Sequence, residues 1–177
     1  MDYDLFTDGP LRPQELAWAL DLLGGGRVTR QREDTYSVEI ATGTAAGAPV
    51  QLSFFGNIGF GRVGLPQLTE DRVMQVASLE DLMATKLKVL LQRAESKDYL
   101  DVIAMLNAGA DLASGLGAAL TLFGAAFQPS EALKALTFFE DGDLHKLDTG
   151  KRTSLIRAVE AVSVLPQVPM LSRSLAV

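Results

Sequence analysis

A lysine stands in the middle of a run of leucines, and few folds tolerate that without a partner. In SLEDLMATKLKVLLQRAESKDYLDVIAML, from Ser78 to Leu106, residues Leu79, Leu82, Met83, Leu87 and Leu90 recur at helical spacing. At ~100° per residue they form one apolar stripe. Lys86 falls near the centre of that stripe. An unpaired ammonium buried there costs several kcal/mol, so the residue needs an acidic neighbour or a route to water. Ser78, with Glu80 and Asp81 close behind, reads as a capping-box-like start. Continuing the same helical count brings Arg93, Lys97 and Asp101 to nearly the same side, with Asp98 beside them. Two readings stay open. Lys86 either snorkels along apolar surface, with the later charges forming a solvated face, or the helix turns both signs of charge toward a site.

Composition narrows the choice. The chain of 177 residues has the length of one domain, or of one domain with an appendage. It contains no cysteine, which excludes disulfides and thiolate metal sites and fits the cytosol by default. His145 is the single histidine, so multi-histidine metal sites are excluded too. The acidic opening MDYDLFTDGP is unlike a signal peptide, and no apolar run reaches the ~18 residues of a membrane span. A net charge of −6 argues against a broad nucleic-acid surface. Arg27, Arg30 and Arg32 are a local exception, readable as a small basic patch or as charges that keep a strand edge soluble.

In chain order, Asp2-Tyr3-Asp4-Leu5-Phe6 alternates acid and bulk, a strand with both carboxylates on one face. Pro13 opens a helix running to Leu23, closed by Gly24-Gly25-Gly26. Val28 to Ile40 reads as two strands joined around Glu33-Asp34, and Thr42 to Pro49 as a loop. Val50 to Phe55 is a strand with Val50, Leu52 and Phe54 on one face. GFGRVG, within Gly56 to Gly64, resembles a phosphate cradle but is not followed by a helix start, so it is a loop. Val73 to Val76 is a short strand; Leu112 to Phe123 is a helix rich in small residues. Ser130 is expected to cap a helix over Glu131 to Phe139, and Asp148 or Thr149 to start one reaching about Val162. The fold class is therefore α+β, a small mixed β-sheet with one or two helices followed by a C-terminal helical bundle.

Three segments carry a resemblance. Asp2-Tyr3-Asp4-Leu5-Phe6-Thr7 resembles the DxDLF strand of the AbiEii-type nucleotidyltransferases, the toxin half of a bacterial abortive-infection, toxin–antitoxin system. Ala84 through Arg93, with Lys97-Asp98-Tyr99-Leu100-Asp101, is similar to that family's lysine-bearing helix and its (R/K)DxxD element. LKALTFFED, Leu133 to Asp141, resembles its C-terminal helix. The resemblance implies residues 1–77 as a partial nucleotidyltransferase half and 78–177 as a helical bundle packed on it. It implies Asp2 and Asp4 as Mg²⁺ ligands, Lys86, Asp98 and Asp101 as catalytic residues, and Arg93 and Lys97 as substrate-binding residues. Lys86 would contact phosphate, with Asp98 or Asp101 orienting it, and Asp2 and Asp4 would meet Lys86 around a common cavity.

The implied activity is metal-dependent transfer of a nucleotidyl group from an NTP to an RNA or protein acceptor, with a cognate antitoxin or a second copy as protein partner and no membrane. Two departures favour an inactive interaction module instead. The family's glycine-serine strand–helix element does not precede Met1, and Ser53 occupies a strand position that often carries a third carboxylate. Hydrolysis through Ser53 or His145 lacks a supporting motif.

Overall fold

The computed structural model describes residues 2–21, 25–41 and 49–176. Two compact units emerge, Met1–Gly59 with Ser174–Ala176, and Phe60–Arg173. The architecture is α+β, a mixed four-stranded sheet with six α-helices among the described residues.

In the first unit, strand β1 (Asp2–Phe6), helix α1 (Pro13–Asp21), strands β2 (Arg27–Arg32) and β3 (Thr35–Ile40), and strand β4 (Val50–Phe55) follow one another. The sheet order is β1-β4-β3-β2, with β1 parallel to β4 and the other pairs antiparallel. The period-2 pattern explains the layering. Tyr36, Val38, Ile40, Leu52 and Phe54 point to one face and form a small core with Leu11, Leu16 and Leu20. Pro13 fixes φ at the start of α1, where its missing N–H costs nothing, and Leu20 is the buried residue of that helix. The expected end of this helix at Leu23 and Gly24 lies outside the described residues. So does most of the Thr42–Pro49 loop.

The second unit begins with the loop Phe60–Gly64 and an antiparallel ribbon of β5 (Gln67–Leu68) and β6 (Gln75–Val76). β5 has no hydrophobic alternation and was not expected; Val73, expected in a strand, lies before β6. Helices α2 (Leu79–Leu90), α3 (Ser96–Asn107), α4 (Leu112–Phe123), α5 (Pro129–Thr137) and α6 (Thr149–Glu160) follow. Their shared core includes Met83, Leu87, Tyr99, Val102, Leu116, Phe127, Leu136 and Leu155. Gly115 lets α4 approach α2 closely, since a Cβ there would lie 2.3 Å from Met83 Cγ.

Three expectations need correction here. The Ser78–Leu106 stretch is two helices, because the chain turns over residues 91–95. A straight helix of that length would span ~44 Å, leaving Leu87 and Val102 far apart rather than in one core. The buried stripe of α2 is also rotated: Met83, Ala84, Leu87 and Leu90 are buried, whereas Leu79 and Leu82 are each 38% exposed. Finally, α5 starts two residues earlier than expected, with Pro129 at its first position. Its N-cap Gln128 makes no side-chain cap bond, and Ser130 does not cap. Asp148 does cap α6, accepting from the Lys151 N–H at 2.9 Å.

Candidate active site

The turn between α2 and α3 answers the question posed by Lys86. Folding the two helices back on each other brings residues twelve and fifteen positions on in the sequence to its ammonium. Lys86 Nζ donates to Asp98 Oδ1 at 3.0 Å and pairs with Asp101 Oδ2 at 2.7 Å. Asp98 is the hub. Its side chain is 1% exposed, and it also accepts from Arg93 Nε at 2.8 Å and Arg93 Nη2 at 3.2 Å. The Arg93 bond is bidentate, the arrangement that gives a guanidinium–carboxylate pair its directional strength.

Burial pulls the Lys86 ammonium toward neutrality, but the hydrogen bonds it donates to Asp101 and Asp98 outweigh that and hold it above the ordinary lysine range. Burial likewise pushes the Asp98 carboxyl up, and the bonds from Arg93 and Lys86 overcome it, leaving Asp98 below the usual carboxylate range. Both groups are therefore charged at neutral pH. Asp98, buried and with both oxygens engaged, positions Lys86 and Arg93. Lys86 differs. Its side chain is 25% exposed, and an ammonium has three N–H donors of which the two aspartates use two. Asp101 is half-exposed, so an incoming anion can take its place at Lys86 without stranding a buried charge. Lys97, by contrast, pairs with Glu95 at 3.1 Å. The single helical count had put it beside Lys86, and the turn at residues 91–95 removes that register.

Sequence reasoning missed what holds this turn. Asp143 accepts from Ser96 N at 2.5 Å and from Ser96 Oγ at 3.0 Å, capping α3 from a distant segment where its own N-cap, Glu95, makes no side-chain cap bond. Lys146, then Ser96, hold the Asp143 carboxyl well below the usual range. Nothing periodic marks that residue; the only sequence signal is the Gly142-Asp143 pair after the FFED segment. At the other end of α2, Ser78 Oγ accepts from Asp81 N at 3.1 Å, as a cap should. The Asp81 carboxylate does not complete a capping box. It accepts instead from Val63 N at 2.7 Å and Gly64 N at 3.1 Å. The glycine-rich loop thus gives these two backbone donors to an internal carboxylate. Gly64 is required there, because a Cβ would sit 2.1 Å from Ser78 Oγ.

Asp2 and Asp4 belong to the first unit. Both are exposed on β1 and, two residues apart, point to the same sheet face. Asp2 is in register with Gln51 and Asp4 with Ser53. Ser53 accepts a hydrogen bond from Ser37 Oγ at 3.1 Å. No group of three or more histidine, cysteine, aspartate or glutamate side chains suited to a metal occurs among the described residues. Two carboxylates still fit Mg²⁺, which keeps several waters and is commonly bound through one or two carboxylates plus substrate phosphates. His145 lies in a short 3₁₀ turn, where its carbonyl accepts from Arg152, and Ser53 bonds a serine; neither stands in a nucleophile–base pair.

Among the described residues no single helix is long and apolar enough to cross a membrane. Residues 13–166 match a family model described as Nucleotidyl transferase AbiEii toxin, Type IV TA system. That span includes Lys86, Arg93, Lys97, Asp98 and Asp101, and begins after β1 with its Asp2 and Asp4. No curated protein and no solved structure matches the chain.

Proposed function

Because the chain belongs to the AbiEii nucleotidyl transferase toxin family of type IV toxin–antitoxin systems, we propose that it transfers a nucleotidyl group from an NTP to a hydroxyl of an RNA or protein acceptor in a Mg²⁺-dependent reaction. The observation that carries this reading is the Lys86 ammonium, held charged by Asp98 and Asp101 with a donor to spare.

Lys86 binds the nucleotide's phosphates through that donor. Asp98 fixes its position and locks Arg93 beside it; Asp101 is the exchangeable partner that yields to the phosphate. Lys97, exposed on the first turn of α3, adds positive charge for the same ligand, and Arg93 contributes through its guanidinium. Asp2 and Asp4 hold the metal. When bound, the metal neutralises phosphate charge and helps align the attacking oxygen. The acceptor oxygen forms a bond to the α-phosphorus as the bond to pyrophosphate breaks, and the hydroxyl proton is lost to solvent. Lys86 offsets charge on the phosphates throughout. A cognate antitoxin is the protein partner that the family assignment implies.

Calorimetric titration with each NTP and Mg²⁺ tests the reading. The wild-type chain should bind at least one NTP, Lys86→Met should weaken binding by about tenfold or more, in line with loss of a charge-assisted bond, and Asp2→Asn with Asp4→Asn should abolish the Mg²⁺ dependence. Absence of heat with every NTP at millimolar concentration would instead support an inactive module of the same fold.

A further inference from the structure

The β5–β6 ribbon packs neither of its faces against a core. Gln67, Leu68, Gln75 and Val76 are all exposed, and adjacent residues of a strand point to opposite faces, so both faces of the ribbon meet solvent. They are apolar nonetheless. Leu65, Leu68, Val73, Met74 and Val76 are between 41% and 75% exposed, and Leu79 and Leu82 follow on α2 at 38% each. A two-stranded hairpin left open on both sides is marginally stable in water by itself. Apolar residues gathered in one exposed segment mark an interaction site.

The strand edges decide what kind of site it is. The four-stranded sheet guards both of its outer strands. β1 bears Asp2 and Asp4, and β2 bears Arg27, Arg30 and Arg32, which the register shift between Val28 and Arg30 gathers on one face. Charges and irregular register keep an edge from pairing with another chain. β5 is guarded too, with Pro66 before it and Glu70 after it. The segment around β6, Val73-Met74-Gln75-Val76-Ala77, contains neither a charge nor a proline. Thr69 N donates to Met74 O at 2.9 Å, which makes Leu68 and Gln75 the non-hydrogen-bonded pair of the ribbon. The backbone N–H and C=O of Gln75 therefore point away from β5, along the unguarded edge.

We propose that β6 is the interface between two copies of this chain, paired antiparallel across a two-fold axis at Gln75. The N–H of each Gln75 then donates to the C=O of the other, and Met74 stands directly opposite the partner's Val76, twice by symmetry. No like charges meet, because the segment has none. The product is a four-stranded antiparallel sheet, long enough in strand number to be stable where a lone hairpin is not. At ~120 Å² for a fully exposed side chain of this size, the seven apolar residues present about 400 Å² per copy. Each partner in a standard-size interface contributes ~450–500 Å² of apolar area. Glu70 and Asp71 at the tip of the ribbon oppose an anionic lipid surface as the alternative occupant. Pairing of β6 needs neither NTP nor metal and goes beyond nucleotidyl transfer.

The test is sedimentation equilibrium of the full chain in EDTA, where the wild type should show a monomer–dimer equilibrium. Gln75→Lys and Gln75→Glu each set two like charges against one another at the axis and should weaken the dimer about tenfold or more. An equimolar mixture of the two variants should recover dimer, because opposite charges then meet; a merely structural effect of either substitution would not be relieved by mixing. Gln75→Pro removes the outward N–H while sparing the ribbon's own hydrogen bonds, and should also weaken the dimer about tenfold or more. Phe138→Ala, at an exposed aromatic after α5, should leave it unchanged. Gln75 is exposed, and circular dichroism checks that each variant is folded. A chain that stays monomeric up to ~100 µM, where even a weak dimer is populated, would overturn the proposal and leave the edge to a strand from a different protein. A dimer that survives both charge variants, a mixture that stays monomeric, or a dimer lost in Phe138→Ala would overturn it as well. Since NTP and metal are absent, failure here leaves the calorimetric test of Lys86 untouched, and the reverse holds.

Discussion

Replacing Asp98 by Asn isolates the electrostatics of the α2–α3 turn. The change keeps the side chain's shape and removes its charge. An amide can accept from Lys86 through its oxygen, but its NH₂ then faces Arg93 Nε, donor against donor, where Oδ2 now accepts at 2.8 Å. Hydrogen bonds to charged groups contribute about 1.5–3 kcal/mol each, and breaking a buried ion pair costs about 3–5 kcal/mol. Lys86 keeps Asp101, and Arg93 is nearly half-exposed with Glu95 3.6 Å away, so the loss falls at the low end, ~3 kcal/mol at neutral pH. That corresponds to a fall in Tm of roughly 10–15 °C for a unit of this size.

The pH dependence has a definite sign. The folded Asp98 carboxyl lies below the unfolded value of 3.8, so its contribution is complete above that value and disappears as pH falls through the lower folded one. Urea unfolding followed by far-ultraviolet circular dichroism should therefore show a gap between wild type and Asp98→Asn that is steady from neutral pH down to mildly acidic pH and closes at more acid pH. Trp18, the sole tryptophan, sits on α1 of the first unit, and its fluorescence transition should move less than the helical signal. A gap under about 1 kcal/mol at neutral pH, or one that widens on acidification, would refute the reasoning.

Two further outcomes follow from the same turn and its supports. Gly64→Ala places a methyl 2.1 Å from Ser78 Oγ, so it should cost about 1–3 kcal/mol by overpacking, measured in the same urea titrations; a neutral effect would mean the loop moves freely off Asp81. Tyr99 donates to Ala135 O at 3.1 Å, and burial, with Asp141 and Asp98 nearby, pushes its phenol up to about 12. Ultraviolet titration should show this tyrosine ionising well above the unfolded value of 10.0 in the native state, with stability falling as pH rises past that value; Tyr99→Phe should cost about 1 kcal/mol and remove that late transition.

Much of this protein was settled by the order of its residues. Alternation of polar and apolar side chains made β1, β3 and β4 readable, including which residues of β4 share a face, because a strand's period of two needs no partner to be seen. Ser78, Asp111 and Asp148 accept backbone N–H groups three residues ahead, which is local chemistry. So is the demand that Lys86 find a carboxylate, since the cost of a buried ammonium does not depend on the fold. Which carboxylate it found was decided by tertiary structure. Asp98 reaches Lys86 because the chain turns at residues 91–95, and no glycine or proline marks that turn; it is stabilised by Asp143, forty-seven residues after Ser96. The arginines of β2 share a face because one register shift outweighs alternation. Contacts between residues far apart in the chain leave no periodic trace in it, and in this protein the electrostatics of the candidate site depends on such contacts.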